Sequence, residues 1–386
     1  MLYLRPFKGV LYGLIAVLLG ITSYIVWHAS WTPKIVGENS ISAVEKLMVN
    51  GHEHAIIIRS HDYNSSPILL CLHGGPGGSD IPYIHQTNSE LERRFIVVTY
   101  DQRSAGKSCG AYDDSPLTIS GHVNDAVAIA EDLLGRFNRS RLCIMGGSWG
   151  SILALLIAQR RPDIVHKVVV RGLVVDSKQN ERLSFDFTLA RLRELEAAGV
   201  TEAAAGVAAL EAMEPPPYHD RVSDLILQRK WLYVVGGMSH SCGKTVTKRV
   251  TGDKDGGKGV DGKDLRACSS WGLKTGVARA VIGSPEISLS EATRFESCLK
   301  KTLQRMWPEL ETFNATEQIP RLEVPLLVLH GRHDWCTVSQ LVEGYIEGLE
   351  APAGKRLVWF EQSGHSPQRE EAERFQAEVM QYLLDN

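Results

Sequence analysis

The chain has 386 residues, 44% of them apolar and 23% charged, with a formal net charge of -3. That length accommodates one large domain with an insertion, or two domains, and the composition excludes a disordered or fibrous chain. A near-neutral charge with only scattered basic pairs carries no nucleic-acid footprint, and seven cysteines in a chain this long do not make a disulfide scaffold.

The first predicted element is a transmembrane signal anchor at 10–31, after a cytoplasmic tail at 1–9. No Asp, Glu, Lys or Arg occurs from Gly9 to Pro33, and Val10 to Trp27 reads "VLYGLIAVLLGITSYIVW". Eighteen helical residues span about 27 Å, close to the roughly 30 Å hydrocarbon core of a bilayer. Arg5 and Lys8 precede the run, which predicts a single-pass protein with its N-terminus cytoplasmic and its catalytic body extracytoplasmic. The alternative is secretion after signal cleavage, against which "VWHASWTP" offers no small-x-small site. Sequons at Asn64, Asn138 and Asn314 suit a translocated body.

A linker is expected at 32–46, followed by the first part of an α/β core at 47–173. "AIIIRS", "PILLCLHGG", "FIVVTYDQR" and "RLCIMGG" read as successive strands, continued by "HKVVVRGLV". Near-continuous apolar strands imply a parallel sheet covered by helices on both faces. From 174 to 320 the character changes to helical: "LARLRELEAAGV", "TEAAAGVAALEAM" and "SEATRFESCLKKTLQRMW" predict an inserted cap. A Gly-, Lys- and Asp-rich stretch at 243–267 predicts a flexible surface loop. The second part of the core, 321–386, carries "VPLLVLHGRHD" and "RLVWFEQSGH". Cys71 and Cys143 fall inside strands as small core residues, whereas two of Cys242, Cys268 and Cys298 are candidates to pair in an oxidising compartment.

The chemistry-bearing residues lie at strand ends. Gly146-Gly147-Ser148-Trp149-Gly150 matches G-x-S-x-G, with a strand before it and a helix after it, so Ser148 is the candidate nucleophile. A serine hydroxyl needs a base held by a third group. His365 follows the last strand and Asp334 the preceding one, completing the chain order Ser, Asp, His. His73, His330, His333 and Ser151 are decoys beside strands or helix, and Asp176 is the next candidate acid. Backbone N–H groups of Trp149 and Gly75 are expected to form the oxyanion hole, Gly75 from the loop "LHGGPGGSD". Asp101, Gln102 and Arg103 read as a structural network beneath the site. No cofactor or metal is expected, since the histidines and cysteines lack H-x-x-x-H and C-x-x-C spacings.

With "HGGPGG" at 73–78, "DQRSAGKS" at 101–108, "GGSWGS" at 146–151, "GRHD" at 331–334 and "SGHSP" at 363–367, the chain resembles the proline iminopeptidase branch of the α/β-hydrolases. The resemblance covers about 55–173 and 324 to the end. It implies an eight-stranded, mostly parallel sheet with an inserted helical cap, and an acyl-enzyme mechanism releasing an N-terminal proline or small residue from a peptide. Family peptidases hold the free amino group of the substrate with cap carboxylates, for which Glu211, Glu214, Glu291 and Glu296 are candidates by location. The expected partners are therefore a peptide or small acyl substrate and, through the N-terminal helix, a membrane. A carboxylesterase or lactonase is the alternative activity, and an inactive binding protein on the same fold is a remote one.

Overall fold

Every apolar run expected to form a strand does so, and an additional strand forms where a linker was predicted. The computed structural model describes residues 5–110, 116–243 and 270–385, so all but the first residue of the loop expected at 243–267 lies outside the described residues. Strands β1 (Ile41–Val49), β2 (His52–Ser60), β3 (Ile68–Leu72), β4 (Ile96–Tyr100), β5 (Leu142–Gly147), β6 (Val165–Arg171), β7 (Leu326–Gly331) and β8 (Lys355–Phe360) make one sheet in the order β1-β2-β4-β3-β5-β6-β7-β8. β1 and β2 pair antiparallel, as do β2 and β4, and the remaining pairs are parallel.

β1 crosses the expected boundary between linker and core at 46/47. Its sequence, "ISAVEKLMV", is half-exposed along most of its length, because β1 is an edge strand whose only strand partner is β2. By contrast β3, β4 and β5 are buried at every residue, which is why their aliphatic runs were legible.

The helices covering the core are α2 (Ile84–Thr87), α3 (Ile119–Phe137), α4 (Trp149–Arg160), α11 (Ser339–Gly348), α12 (Pro367–Glu370) and α13 (Ala372–Leu384). Nearly the whole circumference of α4 is buried, from Trp149 to Ala158, because it lies behind the central strands. On the other face Phe375, Val379 and Leu383 of α13 pack with Phe95, Leu327 and Phe360. The parallel strands point their carboxyl ends to one edge, and the loops bearing Gly75, Ser148, Asp334 and His365 all leave from it.

Between β6 and β7 lies the predicted cap: α5 (Ser177–Ala197), α6 (Thr201–Glu211), α7 (Val222–Val234), α8 (Ser270–Gly283), α9 (Leu289–Leu310) and α10 (Ala315–Gln318). It has its own apolar cluster, with Phe185, Leu192, Leu210 and Trp231 at the centre. α9 starts with a capping box, in which the Ser288 side chain accepts from Glu291 N–H and the Glu291 carboxylate accepts from Ser288 N–H.

Cys298 on α9 pairs with Cys109, 189 residues earlier, and not with a cysteine of the middle region. The reason is packing: α9 lies over the loop after β4, where Thr302 Oγ1 donates to Ser104 O at 2.8 Å and Lys107 Nζ meets Glu291 at 2.7 Å. Cys242 is also disulfide-bonded, while Cys71 and Cys143 are free and buried, as expected of strand residues.

The N-terminal element is a 24-residue helix, α1 (Arg5–His28). Several of its side chains, those at 5–11, 13, 24–26 and 28, lie outside the described residues. Among the described residues no helix is long and apolar enough to cross a membrane. Residues 14–23 of α1 form a run that is exposed at every position. Within and beside that run Tyr12, Leu14, Val17, Leu18 and Leu19 are exposed by more than half of their surface.

Candidate active site

Ser148 occupies the one-residue turn between β5 and α4, with φ 53° and ψ -123°. That left-handed φ is costly for a residue with a side chain and is retained where the surroundings over-determine it. Here they do: Ser148 N–H donates to Arg171 O at 2.9 Å, and the glycines on either side permit backbone contact that no other residue allows. A Cβ on Gly146 would collide with Gly150 O, and one on Gly150 with the carbonyls of Leu72 and His73. Ser151, the decoy one turn along, is structural: its hydroxyl donates to Ser148 O at 2.6 Å and accepts from Val174 N–H at 3.1 Å.

Asp334 is fully buried after β7, and its four donors define its orientation. Oδ1 accepts from the N–H groups of Cys336 and Thr337 at 2.8 and 2.9 Å. Oδ2 accepts from Thr337 Oγ1 at 2.6 Å and lies 2.8 Å from His365 Nδ1. Burial by itself would raise the Asp334 pKa, but the adjacent imidazole and these donors hold it below the usual carboxylate range. Burial would likewise lower the His365 pKa, and the Asp334 carboxylate outweighs it, so the imidazole stays above its ordinary value. The backbone N–H of His365 donates to Met238 O at 2.9 Å, tying this histidine to the cap.

The other candidates are occupied elsewhere. His330 accepts from Leu173 N–H at Nδ1, so its proton is on Nε2, which donates to Thr337 O at 2.9 Å. His333 stacks on His240, and Asp176 caps α5 by accepting from Gln179 N–H. His73 accepts from Gln102 N–H at Nε2 and therefore donates from Nδ1 to Gly74 O at 2.8 Å. Gln102 continues the chain, donating to His73 O and accepting from Trp149 Nε1 at 2.7 Å. Asp101 accepts from Lys107 N–H, and Arg103 makes a two-pronged ion pair with buried Asp125. The DQR segment thus braces the Gly74–Gly75 loop and Trp149 from beneath.

Ser148 and His365 open into one cavity of about 700 Å³, together with Gly75, Trp149 and Thr337. Among the described residues no hydrogen bond joins Ser148 Oγ to the imidazole. Their proximity follows from neighbours: Arg171 O receives the Ser148 N–H, and a Cβ on the next residue, Gly172, would lie 2.9 Å from His365 Cε1. Gly75 has φ 130° and precedes a cis bond to Pro76. Trp149 begins α4, so its N–H has no intrahelical acceptor and belongs to the positive end of the helix dipole.

The cap carboxylates expected to serve the site are not part of this cavity. Glu211 pairs with Arg193, Glu214 is 79% exposed beside Arg221, Glu296 pairs with Lys300, and Glu291 closes the α9 capping box and binds Lys107. In their place the cavity wall contains Glu181, on the second turn of α5 and 3% exposed. Arg229 of α7 and the Asn180 amide donate to its Oε1, at 2.5 and 3.2 Å, while among the described residues its Oε2 has no hydrogen-bond partner. A signal for Glu181 was available: α5 leaves directly from the β6 end of the sheet, so its first turns pass over the site. Leu225, Met238, Leu299, Leu303 and Trp307 supply the apolar walls.

Residues 67–372 match the family described as alpha/beta hydrolase fold. The chain belongs to that family. Over 339 residues this hydrolase is 27% identical to the probable aminopeptidase YbaC of Bacillus subtilis (strain 168), covering 88% of the chain and 95% of the relative. Over 115 residues it is 36% identical to a probable proline iminopeptidase of Leptolyngbya boryana, covering 30% of this chain and 34% of that one. Among solved structures, the proline iminopeptidase-related protein TTHA1809 of Thermus thermophilus aligns at a TM-score of 0.53 and 20% identity, over 88% of this chain and 96% of that one. That last likeness is one of fold. The resemblance read from the motifs is borne out by these relatives.

Proposed function

We propose that this hydrolase is an aminopeptidase of the proline iminopeptidase type, in which Ser148 attacks the first carbonyl of a peptide whose free amino group is held by Glu181. The observation that carries the reading is a buried carboxylate, in the cavity shared by Ser148 and His365, whose Oε2 has no hydrogen-bond partner among the described residues. A buried acceptor without a donor is costly, and an α-ammonium satisfies it with a charge-assisted bond. His365 takes the Ser148 proton, and Asp334 stabilises the resulting imidazolium. The N–H groups of Trp149 and Gly75 hold the oxyanion, and His365 returns the proton to the departing amine. Water then cleaves the acyl-enzyme by the same steps.

Prolyl-naphthylamide, its N-acetylated form and a short p-nitrophenyl ester test this together. The free-amine amide is expected to be cleaved and the acetylated one not. Glu181→Gln should lower kcat/KM on the amide about 10–100-fold relative to the ester, the worth of one hydrogen bond to a charged group. Taking the ratio on one enzyme preparation cancels any loss of folded protein from leaving Arg229 unpaired. Ester cleavage with no preference for a free amine would make the protein a carboxylesterase or lactonase.

We also propose that α1 is a single-pass anchor with the catalytic body on the extracytoplasmic side. Its exposed apolar residues, the basic Arg5 and Lys8 at its N-terminal end, and the Cys109–Cys298 disulfide of an oxidising compartment support this. After carbonate extraction the protein is expected in the membrane pellet, with its body open to protease added from outside. Recovery in the supernatant would overturn the anchor, and a mature N-terminus beyond residue 31 would mean secretion.

A further inference from the structure

His365 and Met238 belong to two cavities. The first is the 700 Å³ space that also contains Ser148 and Glu181. The second, of about 580 Å³, shares His365 and Met238 with the first and is lined besides by residues of α8, of α12 and of the segment from Pro82 to Gln86. In the proposed reaction the acyl part of the substrate occupies the first cavity, because Ser148 and Glu181 are there. His365 must reach the leaving nitrogen to protonate it. The chain beyond that nitrogen therefore passes the imidazole and enters the second cavity.

The ionisable groups facing this second space favour one kind of guest. Arg279 of α8 and Arg369 of α12 line it, and among the described residues neither guanidinium meets a carboxylate. Arg369 is held in place by stacking over the Tyr83 ring, 3.8 Å from its centroid. Glu370 is the carboxylate in the wall, and its oxygens accept from Ser239 Oγ, Ser241 N–H and Gly364 N–H, which direct it into the protein. His85 is paired with Glu286 at 2.7 Å, and Tyr83, Tyr233 and His365 itself complete the titratable groups among the described residues. Among the described residues, two cations without a carboxylate partner against one internally bonded carboxylate leave the space net positive.

We propose that Arg279 and Arg369 bind a carboxylate on the leaving segment, so that the preferred substrates are short peptides whose free C-terminus falls in this cavity. The inference rests on the aminopeptidase reading and adds to it the recognition of the other end of the substrate. A guanidinium suits the task because its planar fork matches a carboxylate and is not easily deprotonated.

The test compares prolyl-glycine and prolyl-glycyl-glycine with their C-terminal amides on the full-length enzyme. For at least one length, kcat/KM should be about tenfold or more higher for the acid than for the amide, as expected for one charge-assisted contact. The acid-to-amide ratio should fall to near unity in the Arg279→Gln/Arg369→Gln double variant and recover in part when both positions are lysine. Both members of each ratio are measured on one preparation, so partial misfolding does not change it. Equal rates for acid and amide in the wild type, or a ratio untouched by the double variant, would overturn the proposal while leaving the aminopeptidase intact. Esters cleaved without any hydrolysis of free-amine amides would overturn the aminopeptidase reading, and this one with it.

Discussion

Replacing Ser148 by alanine is expected to lower kcat by about a millionfold on amide and ester alike, the effect seen when the nucleophile of a Ser-His-Asp site is removed. Covalent labelling by an organophosphonate should vanish with it. The argument is positional. The turn between β5 and α4 presents the hydroxyl to the cavity, and the Ser148 side chain caps nothing in α4, so its loss leaves the helix bonded as before. The backbone bond from Ser148 N–H to Arg171 O is unaffected by the substitution. The thermal midpoint should therefore change little. Undiminished labelling of the alanine variant would show that another residue reacts and would remove Ser148 from the mechanism.

The second-largest effect is expected from Asp334→Asn, about a ten-thousandfold fall in kcat. Asp334 Oδ2 accepts from Thr337 Oγ1 and faces His365 Nδ1 at 2.8 Å, and an asparagine amide in that place offers a donor where the imidazole needs an acceptor. The ring would then protonate at the wrong nitrogen, and no charge would balance the imidazolium formed during reaction. The same change has a signature in pH. With Asp334 raising His365 above its ordinary 6.5, the neutral base accumulates only on the alkaline side, so the acid limb of the wild-type kcat/KM profile lies above 6.5. In the asparagine variant the residual activity should have its acid limb at lower pH. An unshifted limb would mean that Asp334 does not set the His365 pKa.

Stability should follow the pair in the same way. His365, raised in the folded protein, contributes stability that is present in full below its ordinary 6.5 and lost as pH rises through the folded value. Asp334, lowered in the folded protein, contributes stability present above its ordinary 3.8 and lost as pH falls through the folded value. The pair therefore contributes most between those two ordinary values, and this maximum should flatten in Asp334→Asn.

Much of the site could be read without coordinates because its signals are local. Ser148, Asp334 and His365 each follow an aliphatic run by a few residues, and a parallel sheet brings the carboxyl ends of such runs to one edge. What escaped was set by contacts between distant segments. β1 has the weak pattern of an edge strand, and only its register against β2 makes it one. The cap carboxylates Glu211, Glu214, Glu291 and Glu296 were chosen by neighbourhood in the chain, and each is turned to a basic partner on its own or another surface. Glu181 was missed because its orientation depends on Arg229, 48 residues further on and on a different helix.

The G-x-S-x-G turn, the strand-end positions of Ser148, Asp334 and His365 in that chain order, and the glycines that allow backbone to touch backbone were determined by the sequence alone, since short-range sterics and strand-to-loop spacing dictate them. The tertiary structure alone decided which carboxylate lines the cavity shared by Ser148 and His365, and which arginines line the space beside it. Cap helices are amphipathic surfaces whose charged residues look alike in sequence, and only their packing over the sheet brings Glu181 to the wall of the cavity.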